Sequence, residues 1–201
     1  MMQTLLIATR NGHKTREIGQ MLGPGWTVND LTNLPNVPEI EETGETFEEN
    51  ATIKALAVAR LFPGMILADD SGLEVDALEG APGVYSSRFA GKEANDAGNR
   101  HLLAQKLRTL RGDSFPARFR CVIVLASQQK FLGSFDGSVE GSVITTERGI
   151  SGFGYDSMFV PNGYTETFGE LKPEIKNSLS HRGRALAKAL EFLGMRVTAS
   201  S

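Results

Sequence analysis

The sequence predicts a mixed α/β fold, and two observations carry that expectation. Short apolar runs alternate with helix-period segments in the first half of the chain, whereas the second half holds two long apolar strands separated only by Gln128-Gln129. Alternation alone would suit a doubly wound parallel sheet; an added hairpin section favours a mixed one. At 201 residues the chain suits a single domain over 1–201, or two lobes on a shared sheet, with ample material for a core. No internal repeat, low-complexity tract or linker interrupts it.

Residues 3–8 read as a buried strand through Leu5, Leu6, Ile7 and Ala8. Ile18, Met21 and Leu22 then recur at helical spacing until Gly23-Pro24 stops them. A second strand is expected near 26–29 and a helix over roughly 46–61, where Phe47, Ala51, Ala55 and Val58 share a face. Thr46 with Glu49 makes a capping box at its start. Strands follow at 65–69 and 73–76, then a helix over 94–109. The hairpin pairs 117–127 with 130–140, Pro161-Asn162-Gly163 marks a turn, and a closing amphipathic helix runs about 181–194.

Three clusters carry candidate chemistry. The apolar run ending at Ala68 delivers Asp69 and Asp70, then Ser71-Gly72. Acidic residues at a strand end suit Mg²⁺, because hard oxygens match a hard cation and the strand fixes their aim. Successive side chains of an extended chain face opposite ways, so both can serve one metal only if the strand ends between them. An isolated Asp-Asp-Ser-Gly equally suits a solvated strand-to-turn junction. In the first segment, Thr9-Arg10-Asn11-Gly12-His13-Lys14 links strand to helix, an arrangement that turns backbone N–H groups toward a phosphate. It lacks the P-loop pattern, and a polar N-cap with basic neighbours also suits a plain helix start. The third cluster is Gly152-Phe153-Gly154-Tyr155-Asp156, followed by Lys176 and Ser180-His181-Arg182. Glycines beside an aromatic ring let a planar ligand approach, although such a ring also packs in cores. Ser180 suits an N-cap, and two cations just after it oppose the helix dipole, which favours an anionic or acceptor-bearing partner nearby.

Together these pieces resemble the dITP/XTP pyrophosphatase (inosine triphosphate pyrophosphatase) family. The matching segments are 8–14, Glu41-Glu42-Thr43-Gly44, 47–51 with Lys54-Ala55, 68–73, 80–86, 152–156, and Lys176-Asn177 through Arg182, in the family's order. Two departures stand out: Arg10 where relatives commonly have Gly, and Ser157 where they have Pro. The resemblance implies an elongated two-lobed fold with its active site in the cleft between lobes, a homodimer, and Mg²⁺-dependent hydrolysis of non-standard purine nucleoside triphosphates to monophosphate and pyrophosphate. It makes Asp70 the proton acceptor, Glu41 and Asp70 the metal ligands, and Asp69 and Lys54 their support. Glu41 and Glu42 compete for one inner role. Lys14 with the backbone of Thr9, Arg10, Asn11, Gly12 and His13 would hold the phosphates, and Ser71 would also touch the substrate. Phe153, Gly154, Tyr155, Asp156, Lys176, His181 and Arg182 would take the base, with Phe153 stacking and the last two donating to the 6-carbonyl.

Composition excludes little but agrees. A net charge of −3 argues against a protein that coats nucleic acid. The single cysteine, Cys121, lies in an apolar strand and reads as a buried thiol, with no zinc or disulfide spacing about it. No apolar span approaches the ~20 residues of a membrane helix, so the cytosol is the expected compartment. Rival functions are a pyrophosphatase for modified pyrimidines and a non-catalytic nucleotide sensor; a haloacid-dehalogenase-type phosphatase would need Asp-x-Asp, which Asp69-Asp70-Ser71 does not give.

Overall fold

The computed structural model describes residues 3–194. Its strands are β1 (Gln3–Ile7), β2 (Trp26–Asp30), β3 (Met65–Val75), β4 (Ser114–Ser127), β5 (Lys130–Ile144) and β6 (Phe159–Pro161), in sheet order β2-β1-β3-β4-β5-β6. β1 is parallel to both β2 and β3, while β5 and β6 are antiparallel, so the sheet is mixed. The helices are α1 (Gly12–Leu22), α2 (Phe47–Ala59), α3 (Asp96–Arg108), α4 (Pro173–Leu179) and α5 (His181–Phe192). None is long and apolar enough to cross a membrane.

Local chemistry explains the helix ends. Asn11 caps α1 by accepting the His13 and Lys14 N–H groups, and Gly23 at φ 74 ends it in a conformation that glycine adopts without strain. The Thr46–Glu49 capping box forms as the sequence predicts. Asn95 caps α3 through the Gly98 N–H, and Lys106 and Arg108 in its last turn suit the helix dipole. The hairpin turn holds Gln128 and Gln129 at φ 49 and 65, the doubly left-handed backbone that matches strand twist.

Two expectations are corrected. The segments 65–69 and 73–76 are one strand, β3, which runs on through Asp69, Asp70, Ser71 and Gly72. β1 pairs with β3 as far as Leu67, and β4 is its neighbour on the other side of the sheet. Helix α4, absent from the sequence reading, precedes the closing helix and starts with Pro173, which suits a first helical position because it lacks an N–H.

The chain divides into two compact units. Unit 1 takes residues up to Asp70, Cys121–Gly137 and the chain from Arg182 onward. Its core joins Leu5, Ile7, Ile18, Leu22, Leu67, Ile123, Leu125, Leu186 and Leu190. Unit 2 takes Ser71–Arg120 and Ser138–His181, with a core of Leu73, Leu103, Leu107, Phe119, Phe159 and Phe168 among others.

Candidate active site

In unit 1, the unbroken β3 sends Asp69 and Asp70 to opposite faces, as strand geometry requires. Both are buried. Asp69 follows Leu67 onto the face that packs against α1 and α5, where its carboxylate meets two cations. Oδ1 pairs with Lys14 Nζ at 3.1 Å. Oδ2 accepts from Arg182 Nε at 3.1 Å and Nη2 at 3.0 Å, with the Cys121 Sγ at 3.9 Å. Burial alone would push the Asp69 carboxyl up, but Lys14, Arg182 and Lys54 together hold it well below the usual carboxylate range. Burial pushes the Cys121 thiol up, and the Asp69 charge adds to this, so the buried-thiol expectation agrees with the structure.

Asp70 meets α2 instead. The Lys54 ammonium has three protons and places one each on Glu42 Oε1 at 2.7 Å, the Asp69 carbonyl at 2.8 Å and Asp70 Oδ1 at 2.9 Å. Asp70 Oδ2 is buried without a hydrogen-bond partner. Burial raises the Asp70 carboxyl, and the pull of Lys54 and Lys14 does not cancel that rise. Lys54 itself is raised: burial disfavours its charge, but Asp70, Glu42 and Asp69 outweigh it.

The acidic loop before α2 brings Glu42 to Lys54, while Glu41 is exposed. Asn50, one turn before Lys54, steadies that loop by accepting the Gly44 N–H at 2.8 Å. Sequence reasoning overlooked Asn50, although its i, i+4 spacing with Lys54 places both on one helix face.

The anion-site segment is partly spent on structure. Asn11 is the α1 cap and accepts from the backbone, while Thr9 Oγ1 accepts the Asn11 N–H at 3.1 Å. Arg10 donates to the Leu31 and Val37 carbonyls at 2.7 and 2.6 Å, and so braces the loop after β2. Gly12 and His13 are exposed at the helix start. Lys14, with a side chain 15% exposed, is the member of this segment that reaches β3.

Arg182 differs most from its sequence reading. Its side chain is 2% exposed and its guanidinium serves carboxylates of the chain itself, Asp69 and Glu17, the latter at 2.6 Å. Carboxylates of the chain itself therefore already meet the cation at the start of α5. The partners lie 113 and 165 residues away, beyond any local signal.

In unit 2, Ser71 is half-buried in β3. Phe153 is half-buried and Asp156 buried. Asp156 Oδ2 accepts the Phe153 N–H at 2.8 Å and pairs with Lys176 Nζ at 2.6 Å. Lys176 also lies over the Phe153 ring, 5.2 Å from its centroid. Gly154 turns at φ 59 between them. Tyr155 donates to the Ser86 carbonyl at 2.9 Å, and burial raises its hydroxyl. His181 stacks on Phe119 with 4.8 Å between centroids. Ser180 closes α4, and its hydroxyl donates to the Asn177 carbonyl at 3.4 Å.

A metal here would meet oxygen donors. Among the described residues no group of three or more His, Cys, Asp or Glu side chains could hold one. The donor set nevertheless fits Mg²⁺, which takes one or two carboxylates and leaves the remaining positions to water and phosphate. The unpartnered Asp70 Oδ2 is the observation that supports this fit.

The chain is similar to known proteins over nearly its whole length. The Ham1 family model matches residues 5–192. A protein of Desulforamulus reducens named dITP/XTP pyrophosphatase is 47% identical over 190 residues, covering 94% of each chain. A protein of the same name from Bacillus subtilis is 41% identical over 194 residues, covering 96% of this chain and 98% of that one. Among solved structures, the Staphylococcus aureus Ham1 protein superposes with TM-score 0.82 at 36% identity, over 96% of this chain and 98% of that one. A HAM1 protein from Coxiella burnetii gives TM-score 0.83 at 39% identity, over 96% and 99%.

Proposed function

The chain belongs to the Ham1 family, and we propose that it hydrolyses non-standard purine nucleoside triphosphates, dITP and XTP among them, to monophosphate and pyrophosphate. The observation that carries this reading is Asp70: a buried carboxylate anchored through one oxygen by Lys54, with its other oxygen unpartnered.

The phosphate work belongs to unit 1. Asp70, its proton affinity raised by burial, accepts a proton from the attacking water as the new oxygen–phosphorus bond forms at the α-phosphorus. The bond from that phosphorus to the bridging oxygen breaks, and pyrophosphate leaves with the bonding pair. Lys54 holds the carboxylate in aim, and Asp69, paired with Lys14 and Arg182, fixes the strand that carries it. Lys14 and the exposed turn before α1 shield triphosphate charge. Asp70 and Glu41 would hold Mg²⁺, since Glu42 already serves Lys54. Bound there, the metal would neutralise charge on the phosphate oxygens. Base recognition belongs to unit 2, where Phe153 offers a ring for stacking and the Asp156–Lys176 pair supplies polar groups beside it. The reading extends to a homodimer, which sedimentation would test.

The deciding experiment is a panel of dITP, XTP, GTP, ATP and dCTP with Mg²⁺, scoring pyrophosphate against orthophosphate. Pyrophosphate from dITP and XTP, with little turnover of the others, is the expected result. Orthophosphate as the first product, or equal turnover of all five, would overturn it.

A further inference from the structure

In unit 2, Gly154 is gripped on both sides by one helix. Its N–H donates to Asp96 Oδ2 at 2.7 Å, and its carbonyl accepts from Arg100 Nη1 at 2.9 Å. Asp96 and Arg100 stand four residues apart on α3, on one face of the helix. Arg100 is held in turn: its Nε donates to Glu147 Oε2 at 2.7 Å, and that oxygen also accepts from the Ser157 hydroxyl at 2.9 Å.

The two bonds act on different peptide planes. The Gly154 N–H belongs to the plane after Phe153, and the Gly154 carbonyl to the plane after Gly154 itself. Gly154 sits at φ 59 with nothing within 4 Å of where a side chain would begin, so no Cβ narrows its dihedrals and no neighbour packs at that point. The plane before Phe153 is fixed separately, because its N–H donates to Asp156. Carboxylates therefore hold the planes on both sides of the Phe153 α-carbon, and this sets the direction of its side chain. Asp156 supplies one hold from within the loop; Asp96 supplies the other from α3.

We propose that Asp96 and Arg100 are positioning residues that set purine affinity and discrimination by fixing the Phe153 ring, without taking part in phosphate chemistry. This rests on the reading of Phe153 as the base platform. Loosening the clamp lowers the fraction of molecules with the ring in place, and apparent affinity falls by that fraction. The chemical step, carried by unit 1 residues, keeps its rate.

The test measures kcat and KM for dITP and ATP in Asp96→Ala, Asp96→Asn, Arg100→Ala and Phe153→Ala, with tripolyphosphate inhibition as a probe blind to the base. Asp96→Ala and Arg100→Ala should each raise the dITP KM about five- to tenfold, with kcat within about twofold and tripolyphosphate inhibition unchanged. The dITP/ATP preference should narrow. Asp96→Asn should restore most of the loss, since its amide oxygen accepts the same N–H. The double Ala variant should cost less than the product of the singles, because both hold the same residue, Gly154. Hydrogen exchange at the Gly154 amide should speed up in Asp96→Ala, a readout independent of turnover. If Phe153→Ala raises KM and the clamp variants do not, the clamp is overturned. Unchanged KM in Phe153→Ala would instead remove the base-platform reading itself. If KM, kcat and tripolyphosphate inhibition all move together, α3 is merely structural. Should Asp96→Ala fail to fold, Arg100→Ala and Asp96→Asn carry the same expectations.

Discussion

Asp69 and Asp70 are the same residue on the same strand, one peptide apart, and the protein treats them oppositely. The Asp69 face of β3 offers Lys14 and Arg182, with Asp69 and Arg182 buried and Lys14 partly exposed. The Asp70 face offers one ammonium already shared with Glu42 and a backbone carbonyl. The first carboxyl is driven down and the second up. A cation on each oxygen makes Asp69 a structural anchor, whereas Asp70 has a cation on one oxygen and leaves the other for chemistry. The comparison breaks if exchanging roles between the two residues costs the same in turnover and in stability.

The largest effect should come from Asp70→Asn. It keeps the shape and removes both base and metal charge, so kcat for dITP should fall about a thousandfold or more. Melting temperature should stay within a few degrees, because Lys54 keeps Glu42 and the Asp69 carbonyl. Steady-state kinetics at saturating Mg²⁺ beside a thermal melt reads both. Loss of folding with loss of activity would make Asp70 an anchor like its neighbour.

Removing Arg182 should act on the other side of the comparison. Arg182→Met strands part of the Asp69 and Glu17 charge, and breaking a buried pair typically costs about 3–5 kcal/mol. Urea unfolding should show that loss, and Asp69→Asn added to Arg182→Met should recover part of it. If stability holds while the dITP/ATP ratio collapses, Arg182 reads the base instead.

Lys14 sharpens the contrast, being the more exposed of the two cations on Asp69. Lys14→Ala should weaken triphosphate binding about ten- to hundredfold relative to the nucleoside, the size of a charge-assisted contact. Calorimetry with dITP, dIMP and deoxyinosine separates this from a general loss: equal weakening of all three would assign Lys14 wholly to Asp69.

How much of this was legible depends on distance along the chain. The capping box at Thr46, the Asn11–Lys14 turn and the hairpin at Gln128-Gln129 are local, and the sequence pattern predicted all three. The continuity of β3 through Ser71-Gly72 was not, because hydrophobic periodicity is blind to polar residues inside a strand. The strand rule stating that adjacent side chains diverge was available, and applied to an unbroken strand it separates Asp69 from Asp70 at once. The Arg182 partners and the Asp96–Arg100 grip on Gly154 cross 54 to 165 residues, so only the folded chain displays them.

The smallest effects should divide Glu41 from Glu42. Glu42 is a counter-ion: it takes one of the three Lys54 protons, and its charge helps hold that ammonium in place. Glu41 is exposed, so its carboxylate can turn to a metal without breaking an existing pair. Glu41→Gln should therefore raise the Mg²⁺ concentration for half-maximal activity about tenfold, with little change in melting temperature. Glu42→Gln should do the reverse, costing about 1 kcal/mol of stability through a weakened bond to a charged group and shifting Mg²⁺ dependence little. A Mg²⁺ titration of activity and a melt of each variant give the answer. If the two patterns swap, Glu42 is the metal ligand, and the Lys54–Glu42 pair must open each time the site fills.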